Sequence, residues 1–144
     1  MEFALSDEQK QLKSEIRRFA EAEIRPVAAE YDEAEEYPWE VVETAAEMGL
    51  LAPQVPVEYG GAGYDTLDMA LITEELFAVD AGIGGSVVST AYGSEAIARF
   101  GTDEQKETYL PDLASGDSIC GIAISEPHAG SDVAAISTRS EERL

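Results

Sequence analysis

The sequence predicts a mainly helical fold that ends in a single short β-strand. Two capping boxes, which begin at Ser6 and at Thr102, mark helix starts, because the first and fourth side chains of each box satisfy free backbone N–H groups. Apolar residues recur at helical spacing after such starts. By contrast, residues 119–125 alternate between two faces, as a strand does. With 144 residues and 44% apolar content, the chain fits one ordinary domain.

The first two helices have clear boundaries in the sequence. The first begins after Ser6, and Pro26 is expected to end or kink it, because proline has no backbone N–H to donate. A continuation to about Tyr31 is expected. The second helix is predicted from Pro38 to about Met48, where the following glycine suits a helix end.

A loop and a third helix follow. The glycine-rich end of residues 53–63 lacks the Lys and the Ser or Thr of a phosphate-binding loop, which favours a bent connection over a phosphate site. Asp65 is expected to cap a helix that runs to about Val79 and is apolar around most of its surface, as buried helices are. Glu74 and Glu75 interrupt that surface, and we expect them to be structural rather than catalytic.

Residues 81–96 are rich in Gly, Ser, Ala and Thr, whose small side chains permit close approach of a neighbouring helix or of a ligand. A packed central helix is the simpler interpretation. Thr102 then opens a short helix, Pro111 opens the next turn, and Gly116 ends it. The sequence therefore predicts four or five helical segments before residues 119–125.

The strand and the turn after it form the candidate binding segment. Small side chains make one face of residues 119–125 nearly flat, and that face ends in the hydroxyl of Ser125, which suits a planar ring with polar edges. Pro127 stops the strand. Gly130 can adopt a positive φ, and the amides near Ser131 can form an anion-binding concavity. An ordinary surface turn fits these residues equally well.

The charge of the chain excludes several classes of partner. Thirty acidic and nine basic residues give a net charge of −21, which opposes binding to nucleic acid or to an anionic membrane surface. The even spread of acidic residues favours a halophilic source, with an ordinary acidic cytosolic protein as the alternative. No signal peptide or membrane-spanning run is recognisable, so a cytoplasmic location is expected. The lone Cys120 is expected to be a small buried apolar side chain.

Residues 122–132 read I-A-I-S-E-P-H-A-G-S-D, which resembles the flavin-binding signature of acyl-CoA dehydrogenases. Four other segments match that family in the same order: L-S-D-E-Q-K-Q-L near the N-terminus, A-E-M-G-L-L-A-P-Q-V-P-V-E-Y-G-G-A-G at 46–63, I-T-E-E-L at 72–76, and F-G-T-D-E-Q-K-E-T-Y-L-P-D-L-A-S-G at 100–116. The resemblance extends over about residues 5–138. Five motifs in order are specific to the family, although not to one enzyme.

The resemblance implies a fold and a division of the chain. Residues 1–116 correspond to the family's N-terminal helical bundle, and residues 117–144 to the first strand of a truncated middle β-barrel domain. In the family, the catalytic base comes from a C-terminal helical domain that has no counterpart in this sequence. No catalytic residue is therefore assigned, and no metal ligand is expected.

The resemblance also implies ligands and the residues that bind them. The cofactor is FAD, and its expected contacts are Ile122, Ala123, Ile124, Ser125, Glu126, Pro127, Gly130 and Ser131. Ser131 is also expected to contact the acyl-CoA substrate, and Val88, Ser89 and Tyr92 to line the acyl-chain pocket. His128 occupies a variable place in the signature and is expected to be an exposed turn residue.

Three functions agree with these features. The first is the N-terminal portion of an FAD-dependent acyl-CoA dehydrogenase that is inactive alone. When complete, such an enzyme is expected to form a homo-oligomer and to pass electrons to an electron-transfer flavoprotein. Its C-terminal portion is encoded either with this chain or separately. The second is a non-catalytic helical interaction module that binds no flavin. The third is a fragment similar to acyl-CoA oxidases, which pass electrons from the flavin to oxygen.

Overall fold

Seven α-helices make up most of residues 4–139, the part of the chain that the computed structural model describes. They are α1 Asp7–Phe19, α2 Ala28–Ala34, α3 Trp39–Glu47, α4 Thr66–Phe77, α5 Ala81–Ser89, α6 Ser94–Phe100 and α7 Asp103–Ser115. The predicted mainly helical fold is confirmed. None of the helices in this part of the chain is long and apolar enough to cross a membrane. The end of the expected β domain, residues 140–144, lies outside the described residues.

The helix starts form where the sequence predicts them. The hydroxyl of Ser6 accepts the N–H of Gln9 at 3.1 Å, and the Gln9 side chain accepts the N–H of Ser6 at the same distance. Thr102 and Gln105 repeat this arrangement at α7, and Asp65 caps α4. Each cap satisfies N–H groups that have no partner inside the helix, and this defines where the helix begins.

The first helix ends in a π-helical turn, Ala20–Ile24, just before Pro26. The N–H of Arg25 donates to the carbonyl of Ala20 at 3.0 Å, five residues back instead of the usual four. The chain then resumes a helical path as α2. The predicted interruption near Pro26 is confirmed, because proline cannot donate the hydrogen bond that would continue the helix.

Two apolar clusters hold the helices together. The main cluster joins α1, α3, α4 and α5, with α1 packed on α4 and α5 packed on both α3 and α4. Its buried side chains include Ile16, Ile24, Ile72, Leu76 and Val87. The smaller cluster consists of Ala52, Val55, Ala91, Leu110 and Leu113, and half-buried Cys120 packs against it. The smaller cluster therefore anchors the start of the candidate binding segment.

An ion-pair network ties α1 to α4. Glu75 is only 6% exposed, and its carboxylate lies 2.7 Å from Nζ of Lys13 and 2.6 Å from Nε of Arg17. Burial alone raises the pKa of Glu75, but hydrogen bonds from Lys13 and Arg17 outweigh burial and lower that pKa below its ordinary value. Glu74 contacts Lys13 at 2.9 Å from an exposed position. The expected structural role of Glu74 and Glu75 is confirmed.

The loop between α3 and α4 is a bent connection, as the sequence predicts. The N–H of Gly63 donates to the carbonyl of Val55 at 3.0 Å, which folds the loop back on itself. A Cβ atom at Gly61 would overlap that same carbonyl, so the close approach of the two chain segments requires glycine there.

The single helix predicted over residues 81–96 is wrong. α5 ends at Ser89, and α6 starts again after Gly93, which has a φ of +98°. The hydroxyl of buried Thr90 donates to the carbonyls of Val87 and Leu51, which turns the chain away from the helix axis. A Cβ atom at Gly93 would lie 3.1 Å from Sγ of Cys120. The break thus makes room for the candidate segment.

Pro111 does not open a separate turn, as predicted, but lies inside α7. Proline there leaves the carbonyl of Glu107 without its usual helical donor. The helix nevertheless continues to Ser115, and the packing of Leu110 and Leu113 in the smaller cluster favours its continuation.

The strand predicted over residues 119–125 does not form within the described part of the chain. Cys120 makes one parallel bridge to Ala91, and its N–H donates to the carbonyl of Thr90 at 2.7 Å. No further residue up to Ser125 pairs with another segment within residues 4–139. A strand requires neighbours for its backbone groups, and a single bridge does not provide them.

Candidate functional site

Residues 121–125 form an exposed strip beyond the bridge at Cys120. No hydrogen bond within residues 4–139 uses the backbone N–H groups of this strip. The side chains of Ile122 and Ile124 are 54% and 48% exposed, and Ser125 is also exposed. The strip therefore presents a row of free backbone N–H groups, flanked by apolar side chains, to a ligand or chain segment that packs against it.

A tight turn follows the strip. Glu126 and Ala129 exchange two backbone hydrogen bonds, at 2.8 and 3.1 Å, and Ala129 is buried. Pro127 and His128 form the exposed corner of this turn, so the expected exposure of His128 is confirmed. Beyond the turn lies Ser131, whose side chain is exposed.

Two glycines, Gly121 at the start of the strip and Gly130 in the signature, face open space. A Cβ atom added at Gly121 or at Gly130 would meet no atom within 4 Å. The absence of side chains there leaves the backbone accessible on both sides of the turn. A flat ring or a phosphate group can thus approach the peptide groups closely.

The carboxylate of Glu126 is the centre of a hydrogen-bond cluster. It accepts the N–H groups of Ser137 at 3.0 Å and of Thr138 at 2.7 Å, and the hydroxyl of Ser137 at 3.2 Å. Nε2 of His128 lies 3.1 Å from the same carboxylate. Hydrogen bonds from the Thr138 side chain, and then from the Ser137 and Thr138 amides, lower the pKa of Glu126 to about 2.

The structure brings part of the predicted acyl pocket next to the strip. Tyr92, 52% exposed, lies between Ala91, which bridges Cys120, and Gly93, which adjoins Ile122. Val88 instead lies in α5 and packs partly into the main apolar cluster. The hydroxyl of Ser89 donates to the carbonyl of Ser86 at 3.2 Å, and this orients it along the helix.

A separate concavity of about 290 Å³ lies between α4 and α6. Nε2 of Gln54 donates to the fully buried hydroxyl of Ser94 at 3.0 Å, while Oε1 of Gln54 is buried without a partner among the described residues.

The sequence analysis did not predict the hydrogen bond between Gln54 and Ser94, and it did not predict the role of Gly93. The glycine at position 93 was a usable signal, because it interrupts an otherwise helical run.

The arrangement suits binding better than acid–base chemistry. The strip and turn offer free peptide groups and the exposed hydroxyls of Ser125 and Ser131. The carboxylate at the turn is that of Glu126. It already accepts hydrogen bonds from Ser137, and its pKa of about 2 makes it a weak base. The candidate site therefore has the features expected of one wall of a ligand site.

The family model described as the N-terminal domain of acyl-CoA dehydrogenases matches residues 6–117. The chain belongs to the acyl-CoA dehydrogenase family. The predicted membership of this family is thereby confirmed. The signature at residues 122–132 lies beyond the matched range, and the roles of the individual site residues remain predictions.

Known members of the acyl-CoA dehydrogenase family align with nearly the whole chain. The acryloyl-CoA reductase (NADH) of Anaerotignum propionicum is 41% identical over 96% of this chain and 35% of its own length. The short-chain specific acyl-CoA dehydrogenase of Clostridium acetobutylicum is 40% identical over 96% of this chain and 37% of its own. An acyl-CoA dehydrogenase from Bacillus anthracis, solved with FAD, is 36% identical, with a TM-score of 0.81 over 92% of this chain and 23% of its own. The chain thus spans about a third of the length of the curated relatives that it matches.

Proposed function

We propose that this chain forms one wall of the active site of an FAD-dependent acyl-CoA dehydrogenase, which introduces a double bond between the α and β carbons of an acyl-CoA thioester. The observation that carries this proposal is the exposed strip at 121–125 with its free N–H groups, followed by a turn with exposed hydroxyls, in a chain of this family. The FAD in the solved structure of the Bacillus anthracis relative supports the choice of cofactor.

The strip and turn have the features that a flavin needs. The residues that hold FAD in this proposal are Ile122, Ala123, Ile124, Ser125, Glu126, Pro127, Gly130 and Ser131. The peptide groups and the hydroxyl of Ser125 hydrogen-bond the polar edge of the ring, and the side chains of Ile122 and Ile124 cover apolar surface. Glu126 contributes through its backbone, because its carboxylate binds Ser137 and Thr138.

The thioester approaches from the side of Tyr92. Ser131 contacts the acyl-CoA and the flavin, while Val88, Ser89 and Tyr92 line the space for the acyl chain. Tyr92 is exposed and adjoins Gly93, which lies against Ile122, and this supports its contact with the acyl chain. The partly buried Val88 is in a position to limit the depth of that space.

The chemistry of dehydrogenation requires more than this wall. A base removes the α-proton, an acceptor takes the hydrogen of the β-carbon, and hydrogen bonds to the thioester carbonyl stabilise developing charge. FAD, when bound, supplies the acceptor. A carboxylate with a pKa of about 2, such as that of Glu126, is a weak base near neutral pH. Glu126 is therefore not the base in this proposal, which takes the base from the C-terminal portion of the enzyme.

The rest of the proposal concerns the complete enzyme. It consists of the helical domain at 1–116, the β domain that starts at 117, and a C-terminal portion, encoded with this chain or separately, that supplies the base. It works as a homo-oligomer in fatty acid metabolism in the cytoplasm and passes electrons to an electron-transfer flavoprotein. The net charge of −21 supports a halophilic source. The 41% identical acryloyl-CoA reductase favours a second candidate, the reverse reduction of an enoyl-CoA thioester on the same wall.

Binding and turnover measurements test the proposal. We expect the purified chain, in high salt, to bind FAD weakly and to reduce an artificial electron acceptor with acyl-CoA no faster than free FAD does. Ser125→Ala should weaken FAD binding, whereas Ser118→Ala, which removes an exposed hydroxyl outside the strip, should not. Equal FAD affinity of both variants and the parent would favour the interaction module. Turnover clearly above the free-FAD control would show that this chain contains the base.

A further inference from the structure

The cluster around Glu126 closes a loop that contains most of the predicted flavin contacts. The partners of its carboxylate, Ser137 and Thr138, are 11 and 12 residues further along the chain. Between these ends, the backbone hydrogen bonds within the described residues are local: Glu126 with Ala129, Asp132 with Ala135, and Val133 with Ile136. The hydroxyl of Ser137 also lies 3.2 Å from Nε2 of His128, which itself contacts the Glu126 carboxylate. The carboxylate therefore makes most of the contacts that join the two ends of the loop.

The geometry requires a group that only accepts hydrogen bonds. Both oxygens of Glu126 are used, and the two amides and the hydroxyl that reach them are donors. A carboxylate offers two acceptor oxygens, whereas a glutamine amide would turn two N–H donors towards some of these groups. An aspartate is one methylene shorter and would not span the same gap. The side chain is 11% exposed, so water replaces these contacts poorly.

We propose that Glu126 is a positioning residue for the flavin-binding turn: its carboxylate clamps Ser137 and Thr138 and so presents Ser125 and Ser131 in a fixed arrangement. This inference rests on the proposed function, because it assigns those two hydroxyls to ligand binding. A loop that is closed before the ligand arrives loses less conformational freedom on binding. The low pKa of the carboxyl agrees with this role, because it keeps the clamp ionised over the physiological range.

Hydrogen exchange and flavin affinity, measured on the full chain, test this role. Glu126→Gln should accelerate exchange of the Ser137 and Thr138 amides by about tenfold or more, because charge-assisted hydrogen bonds are lost. It should also weaken FAD binding, while the amides of α1 and α4 exchange at the parental rate. The matched control is Glu43→Gln, which removes the same charge from an exposed side chain in α3 and should change neither quantity.

Each outcome decides a different point. Unchanged exchange at both amides of Glu126→Gln would overturn the clamp. Faster exchange with FAD affinity equal to that of Glu43→Gln would overturn its positioning role. If neither the parent nor Glu43→Gln bound FAD, the proposed function would fail instead, and the exchange rates would still decide whether Glu126 closes the loop.

Discussion

At the scale of single residues, the site depends on small polar groups whose orientation is set by their neighbours. Ser125 and Ser131 are exposed on either side of the turn, and the Glu126 carboxylate that lies between them in sequence is occupied by other partners. A hydroxyl in a turn is a local donor, so its removal affects a bound ligand more than the fold.

Ser131→Ala should weaken flavin or acyl-CoA binding in a complete assembly without unfolding the chain. Loss of one hydrogen bond costs about 0.5–1.5 kcal/mol, or roughly a twofold to twelvefold change in dissociation constant. Titration of each ligand into the assembly measures this change, with Ser118→Ala as the control. Unchanged affinity for both ligands would mean that the hydroxyl of Ser131 contacts neither of them.

Acid should release the clamp of Glu126 at an unusually low pH. The pKa of its carboxyl is about 2 in the folded loop, below the ordinary 4.5, so the ionised form stabilises the loop above pH 4.5. That contribution declines as pH falls through the range between these values and is lost below about 2. His128 is the ionisable side chain paired with it within residues 4–139. A carboxyl NMR titration measures the midpoint, and a value near 4.5 would contradict the hydrogen-bonded clamp.

At the scale of the elements, the α1–α4 contact and the break between α5 and α6 decide how the helices meet. The first combines apolar packing with the buried carboxylate of Glu75. The second depends on Gly93, which lets the chain turn and lets Cys120 approach. Helix propensity alone determines neither feature, although the glycine at position 93 marks a point where the helix can break.

Glu75→Gln should destabilise the fold much more than Glu74→Gln. Glu75 is buried with Lys13 and Arg17 on its two oxygens, so its replacement removes the buried partner of both cations, which keep only the more exposed Glu74 and Glu21, and should cost about 1–3 kcal/mol. Glu74 is 64% exposed, and its loss should stay within about 0.5 kcal/mol. Urea denaturation of both variants measures the difference, and equal midpoints would show that the buried network does not stabilise the α1–α4 contact.

Gly93→Ala should destabilise the junction of α5 and α6. Its φ of +98° strains any other residue, and a Cβ atom would lie 3.1 Å from both Cys120 Sγ and Ile122 Cγ2, so we expect a loss of about 1–3 kcal/mol. The control is Gly85→Ala in α5, where a Cβ atom meets Phe77 at an ordinary 3.9 Å and should stabilise the helix by up to about 1 kcal/mol. Thermal unfolding compares the two; a neutral Gly93→Ala would mean that the junction rearranges freely.

At the scale of the whole molecule, charge dominates the solution behaviour. The net charge of −21 is spread over 144 residues, and it already counts the basic residues of the ion pairs at α1. Such a surface repels itself, and dissolved salt screens that repulsion. The free energy of unfolding is thus expected to depend on the salt concentration as well as on the apolar clusters.

The melting temperature should fall as salt is removed. The screening length grows from roughly 3 Å at 1 M to about 10 Å at 0.1 M salt, so more pairs of acidic side chains repel each other in dilute salt. Thermal melts in a sodium chloride series measure the effect, and an uncharged osmolyte of equal osmolality controls for solute exclusion. A melting temperature that stays the same from molar to millimolar salt would contradict this prediction.

The sequence by itself determined the features that depend on near neighbours or on a recognisable motif. The capping boxes at Ser6 and Thr102 need partners only three residues away, so their sequence is sufficient to predict them. The interruption at Pro26 follows from the missing N–H of a single residue. Five motifs in the family's order, the signature at 122–132 among them, predicted the family because their combination is specific.

Tertiary structure alone decided the features that depend on distant segments. The alternation at 119–125 predicts a strand, but strand pairing needs neighbours, and within the described residues only Ala91 forms a β-bridge with it. The break at Gly93 and the clamp of Glu126 arise because Cys120 and Ser137 approach from elsewhere in the chain. Local sequence carries little information about such approaches, because the partner is brought close by the packing of the whole fold rather than by its own neighbours.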